Sequence, residues 1–236
     1  MRFTLTLTLL AAPLWAADGD QQFATLGDFT LTSGEVIHNC RLGYRTRGKL
    51  NEAKSNAILW PTWFGGQSQD LLTYVGSGKV IDPDRFFVVL VDALGNGVSS
   101  SPSNGQKPFP RFTPRDMVNS QHALLTRQLG IQHLHAVVGI SMGGMQTFEW
   151  ITAYPDFMDR AVPIVGSPRL AAPDLLLWNA QLGVLELAGA DQRAAMRAVV
   201  SMHQFAMQTP EFRAAATPPG EWEKTSKVSR RARANA

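Results

Sequence analysis

One stretch constrains this chain of 236 residues more than any other: Val137-Val138-Gly139-Ile140-Ser141-Met142-Gly143-Gly144-Met145-Gln146. Gly139, Ser141 and Gly143 fit the pattern G-x-S-x-G. Ahead of them His135-Ala-Val-Val-Gly139 reads as a buried strand. Behind them a helix is predicted from Gly143 to Tyr154, closed by Pro155. A strand that turns sharply into a helix forces the serine between them into a strained backbone conformation. The residues two before and two after must then lack side chains. Such a serine stands at a helix N-terminus, where the dipole favours developing negative charge. The N–H of Met142 is placed to form half of an oxyanion hole. Ser141 is therefore the candidate nucleophile.

The surrounding pattern supplies the sheet this turn needs. Gly27–Ile37 and Cys40–Arg47 are expected as two extended segments with a polar break at His38-Asn39. Ala57–Trp60 is a short apolar run stopped by Pro61. Arg85–Val91 is β-branched and aromatic without alternation, as in a strand covered on both faces. Thr113-Pro114 opens a helix with Asp116 in its first turn and Gly130 at its end. Arg160–Gly166 is the next strand. Strand, helix, strand, helix, strand predicts an α/β protein with a mostly parallel sheet. From Asp174 to about Met207 the pattern is helical and no strand follows.

Two further glycine-rich loops follow predicted strands. Pro61-Thr-Trp-Phe-Gly-Gly66 lets backbone approach a substrate carbonyl, and the N–H of Trp63 or Phe64 is the candidate second oxyanion donor. Trp63 and Gly65 are candidate substrate contacts. Asp92–Asn104 lies at the carboxyl end of a strand, where open α/β sheets bind ligands. It reads as either an active-site wall or a plain solvent loop, because no helix with Lys-Ser or Lys-Thr follows to make a phosphate cradle.

Charge excludes a nucleic-acid partner for the body of the protein. The formal net charge is +3, but residues 224–236 hold five cations and no acid, so the remainder carries −2. A single cysteine, Cys40, excludes an intrachain disulfide, and no metal-ligand set was found. Residues 1–17 carry Arg2, an apolar and threonine run and a small-residue exit, which predicts a secretory signal peptide. A strand is the alternative reading of the same Thr/Leu alternation. No run reaches 18 apolar residues, so no membrane association is expected after signal cleavage. The expected location is periplasmic or extracellular.

Gly139–Gln146 with Glu149-Trp150 and Tyr154-Pro-Asp156 resembles the homoserine O-acetyltransferase group of the α/β-hydrolase superfamily. Leu94-Gly-Asn-Gly, Ser101-Pro-Ser, Pro168-Arg-Leu-Ala and Trp178-Asn179 extend the likeness over roughly residues 25–205. The resemblance implies an α/β-hydrolase fold over 18–170 and the start of a helical lid over 171–215; the apolar-poor, basic residues 216–236 read as a disordered tail. It implies acyl transfer through an acyl-Ser141 intermediate, with Met142 and Phe64 as oxyanion donors and Asn179 near the substrate. No cofactor is bound; acyl-CoA enters as co-substrate, and an alcohol or water accepts the acyl group. A homodimer stays open. Two departures qualify this. Where the family places an arginine to hold the homoserine carboxylate, this chain has Gly183, so an exported carboxylic-ester hydrolase is the alternative activity. Downstream of Ser141 the one histidine is His203, in the helical stretch, and Asp156, Asp159, Asp174 and Asp191 precede any further strand. The base and acid of a triad are thus not found. The chain is expected to lack the family's last strands and to be impaired, or to be a non-catalytic remnant that keeps a binding pocket. The basic end reads as a truncation or frameshift, or as a tail that docks on an acidic surface.

Overall fold

The computed structural model describes residues 18–189, 192–217 and 220–221. The leader at 1–17 and most of the basic tail (218–219 and 222–236) lie outside the described residues. The chain divides into two compact units, the first ending at Pro168 and the second starting at Arg169.

The first unit is a six-stranded sheet in the order β1-β2-β4-β3-β5-β6. The strands are β1 (Gln22–Thr30), β2 (Val36–Arg47), β3 (Ala57–Pro61), β4 (Phe87–Val91), β5 (Ala136–Ile140) and β6 (Ala161–Ile164). β1–β2 and β2–β4 are antiparallel, and β3, β4, β5 and β6 run parallel to one another. β3 and β4 are buried at every position. Their side chains alternate between two cores. Leu59, Val89 and Val137 face one core with Val118, Leu125 and Trp150. Ile58, Trp60, Val88 and Val138 face the other with Leu71, Val75 and Ile81. Burial on both faces is what turns these strands into continuous apolar runs.

Between strands lie α1 (Ser68–Leu71), α2 (Pro114–Ala123) and α3 (Met142–Ala153). Thr113 and Asp116 form a capping box at the start of α2, with Pro114 at the first helical position. A π-helical segment over Leu124–Gln128 continues α2 toward Gly130. Arg115 pairs with Glu149, joining α2 to α3.

The boundary expected near His38 is elsewhere. The chain turns at Leu31–Glu35, and His38-Asn39 lie inside β2 as an irregularity opposite Asp28, between the Gly27–Cys40 and Phe29–Ile37 pairs. Asn39 takes a φ of +50°, a conformation asparagine tolerates. His38 Nδ1 lies 3.0 Å from Asp28, so the polar pair is a solvent-side bulge in a strand.

The second unit contains α4 (Ala172–Leu187), α5 (Gln192–Ala206) and α6 (Pro210–Ala216), and no strand among its described residues. Gln181 on α4 is buried and donates to the Val199 carbonyl of α5 at 3.3 Å. Among the described residues no helix is long and apolar enough to cross a membrane.

Candidate active site

Ser141 stands between β5 and α3 with φ +55° and ψ −120°. Such a conformation costs a residue with a side chain on the order of 1–3 kcal/mol and persists only where the surroundings impose it. Here they do. The Ser141 N–H donates to the Ile164 carbonyl at 2.9 Å, and the Ser141 carbonyl accepts from Met145 N–H at 3.0 Å. A Cβ on Gly139 would collide with the Gly143 carbonyl and lie 2.6 Å from Thr147 Oγ1. A Cβ on Gly143 would sit 2.6 Å from the Pro61 carbonyl oxygen. Real Cβ atoms do not come so close, so both glycines are required by packing. Ser141 itself is exposed. Met142 is the first residue of α3, so its N–H has no partner within the helix.

The structure brings the 61–66 loop against this turn. Trp63 to Gly66 closes with Gly66 N–H donating to the Trp63 carbonyl at 3.1 Å, and Gly65 has φ +72°. Phe64 is 56% exposed at the tip, while Trp63 meets Tyr74 edge-on at 6.2 Å. The residue that anchors the loop is Thr62, which is fully buried. Its N–H donates to the Val91 carbonyl at 3.0 Å, its Oγ1 accepts from Ala93 N–H at 3.0 Å, and its carbonyl accepts from Gln146 Nε2 at 3.1 Å.

The loop after β4 is tied to the same place, so it is more than a solvent excursion. Buried Asp92 accepts from Ser68 N–H at 2.8 Å, Ser68 Oγ at 2.7 Å, Asn96 Nδ2 at 3.0 Å and Gln21 Nε2 at 3.1 Å. Asn96 Nδ2 also donates to the Gly66 carbonyl at 3.1 Å. Ser99 and Ser100 accept from the backbone N–H groups of Gly43 and Arg41, each at 2.9 Å. Sequence reasoning missed the roles of Thr62 and Asp92. Each has partners far away in the chain, and the available signal was only a polar residue at the end of an apolar strand.

Four histidines belong to the first unit, and each is engaged away from Ser141. His133 and His135 precede β5, with His133 Nε2 2.9 Å from Asp159, itself beside Arg160. His135 is six residues up the strand from Ser141, about 20 Å at roughly 3.3 Å per residue. The hydrogen bond with His133 leads the causes that hold the Asp159 carboxyl below its ordinary value. His122 stacks on Tyr154 at 4.1 Å, and burial lowers its pKa. His38 pairs with Asp28. His203 and Asn179 are in the second unit, where the His203 ring lies 5.8 Å from that of Trp178 and Asn179 is exposed on α4. Asp174 accepts from Ala171 N–H at 3.3 Å, and Asp191 lies outside the described residues. Among the described residues no group of His, Cys, Asp and Glu could hold a metal ion.

A mostly parallel sheet with a strained serine between a central strand and a helix defines the α/β-hydrolase class. The alpha/beta hydrolase fold family matches residues 58–186, more than half of the chain, and the chain belongs to that family. It is 42% identical over 164 residues to an ethyl acetate hydrolase of Pseudomonas veronii, covering 67% of this chain and 47% of that one. It is 37% identical over 175 residues to a homoserine O-acetyltransferase of Methanococcoides burtonii, covering 65% and 36% respectively. The structure of an acetylester hydrolase from Corynebacterium glutamicum superposes with TM-score 0.79 at 32% identity, over 86% of this chain and 65% of that one. The chain thus spans about half, or less, of the length of the curated relatives.

Proposed function

We propose that this protein transfers or hydrolyses short acyl esters through Ser141, with water as the favoured acceptor. The observation that carries the reading is the Ser141 backbone at φ +55°, imposed by glycines that no other residue can replace. Ser141 Oγ attacks the acyl carbonyl carbon and gives up its proton to solvent water, which later returns one to the departing group. The backbone N–H groups of Met142 and Phe64 hold the resulting oxyanion. Collapse expels the alcohol, or a thiolate from an acyl-CoA, and leaves acyl-Ser141. Water, or an alcohol, then releases the acyl group. Trp63 and Gly65 are the proposed substrate contacts.

The names of the three similar proteins above all contain an acetyl group, which supports a small acyl portion. Hydrolysis is favoured over transfer to homoserine because Gly183 offers no cation for a carboxylate. A side chain there would meet nothing within 4 Å among the described residues, so packing does not demand glycine. An exported enzyme, directed by the 1–17 leader, fits ester hydrolysis better than acetyl-CoA chemistry. Because the four histidines of the first unit are engaged elsewhere, activity is expected to be weak. Binding and oxyanion stabilisation alone leave about 10³–10⁴-fold over water.

The test is hydrolysis of 4-nitrophenyl acetate and octanoate, alongside acetyl transfer from acetyl-CoA to homoserine, by the full chain and by Ser141→Ala. Acetate turnover that exceeds octanoate and falls at least tenfold in the variant is expected. Equal rates in both proteins, or saturable transfer to homoserine that outruns hydrolysis, would overturn the proposal.

A further inference from the structure

Behind the proposed oxyanion loop runs a line of buried polar groups that the reaction as written does not use. Trp150 Nε1 donates to Gln121 Oε1 at 2.8 Å, and Gln121 Nε2 donates to Gln146 Oε1 at 2.6 Å. Gln146 Nε2 donates to the Thr62 carbonyl at 3.1 Å and the Met142 carbonyl at 3.3 Å. Thr62, Gln121, Gln146 and Trp150 are all fully buried. The line begins at an indole, which only donates, and ends at carbonyls, which only accept. Both amides therefore have one orientation that satisfies every group. Turning either one would place donor against donor or oxygen against oxygen, away from water.

We propose that Gln146 is a positioning residue for the oxyanion hole, its amide orientation set from one side by Gln121 and Trp150. The inference rests on the loop donors assigned above. The Thr62 carbonyl and the Trp63 N–H belong to one planar peptide and point opposite ways. Fixing the carbonyl on Gln146 therefore fixes the aim of the Trp63 N–H and the course of the chain into Phe64. Gln146 stands on the first turns of α3, four residues beyond Met142, and contacts both Thr62 and Met142 carbonyls. One side chain thus holds the two halves of the hole in register: the helix that supplies Met142 and the loop that supplies Phe64. Preorganised donors need no rearrangement as charge develops, so a loosened loop costs transition-state stabilisation more than substrate binding.

The experiment compares Gln146→Met with Gln121→Met in the full chain. Both keep side-chain volume and delete buried hydrogen bonds, so both should lower the melting temperature. Only Gln146→Met frees the Thr62 carbonyl. In that variant the amides of Thr62 and Ala93 are expected to exchange with solvent about tenfold faster relative to Val89, at the centre of β4. Gln121→Met should leave that ratio within about threefold. Ser141-dependent kcat should fall about tenfold to a hundredfold in Gln146→Met with KM within about twofold, short of the loss expected on deleting a donor outright. An unchanged exchange ratio in Gln146→Met, or equal kcat losses in both variants, would overturn the proposal. If the unaltered chain shows no Ser141-dependent hydrolysis, the proposed function fails, and the exchange ratios alone decide whether Gln146 holds the loop.

Discussion

At the scale of single residues, Ser141 and its neighbouring glycines have opposite demands. Ser141 carries a Cβ where the backbone disfavours one, and Gly139 lacks one where none fits. Replacing the serine should therefore divide two variants that are equally inactive. Ser141→Gly relieves the strained φ and is expected to be about 1 kcal/mol more stable than Ser141→Ala, which keeps the Cβ. Urea unfolding of the two measures the difference; an alanine variant as stable as the glycine one would show that the turn is unstrained. Gly139→Ala is expected to cost about 3 kcal/mol or more, because the colliding atoms are backbone and cannot swing aside. The serine and both glycines were legible in the sequence, since the motif is local and its physical demand is steric. The residues that brace the loop were not. Gln121 and Gln146 are neighbours only because two helices pack side by side, and nothing in either segment announces the pairing.

Among the elements, α2 is held to the turn between β1 and β2 by one carboxylate. Asp116 accepts from Thr32 N–H at 2.6 Å, Thr32 Oγ1 at 3.1 Å, and Thr113 N–H and Oγ1 at 2.8 Å each. Burial pushes its pKa up, but the hydrogen bonds from Thr32 and Thr113 outweigh that and hold it below 3.8. A depressed native pKa means the stabilisation is complete at neutral pH. It declines as the pH falls toward 3.8 and goes on declining toward the lower native value. Asp116→Asn is expected to lose about 2 kcal/mol at pH 7 and to flatten the acid limb of stability against pH. Denaturation midpoints from pH 7 to 3 check this, and an undiminished acid slope in the variant would contradict it. The sequence marked Asp116 as a first-turn helix acid but hid its second partner, because the β1–β2 turn was misplaced. His38-Asn39 looked like a break from its polarity, yet a bulge lets both stay in β2 with their side chains in solvent. The buried strands β3, β4 and β5 were legible for the opposite reason, as apolarity on both faces leaves no phase to misread.

For the molecule as a whole, the sheet is asymmetric at its edges. β1 closes one side as a long antiparallel partner of β2, whereas β6 pairs, among the described strands, with β5 alone. Val162 on β6 is 42% exposed and Val165 just beyond it is 82% exposed. An apolar strand edge of this kind templates intermolecular pairing. Val162→Lys is expected to reduce heat-induced light scattering severalfold while moving the melting temperature by no more than about 3 °C. Scattering that persists at the same level would place the aggregation surface elsewhere. The carboxyl end of the parallel strands is governed by Asp92, which directly follows β4. That one carboxylate gathers the segment before β1, the start of α1 and the loop after β4, and Asn96 carries the tie on to the loop of Trp63 and Phe64. These stretches lie up to 71 positions apart in the chain, so the two walls beside Ser141 cannot drift independently. A change in one wall is therefore expected to reach the other, so paired substitutions across that junction should depart from additivity.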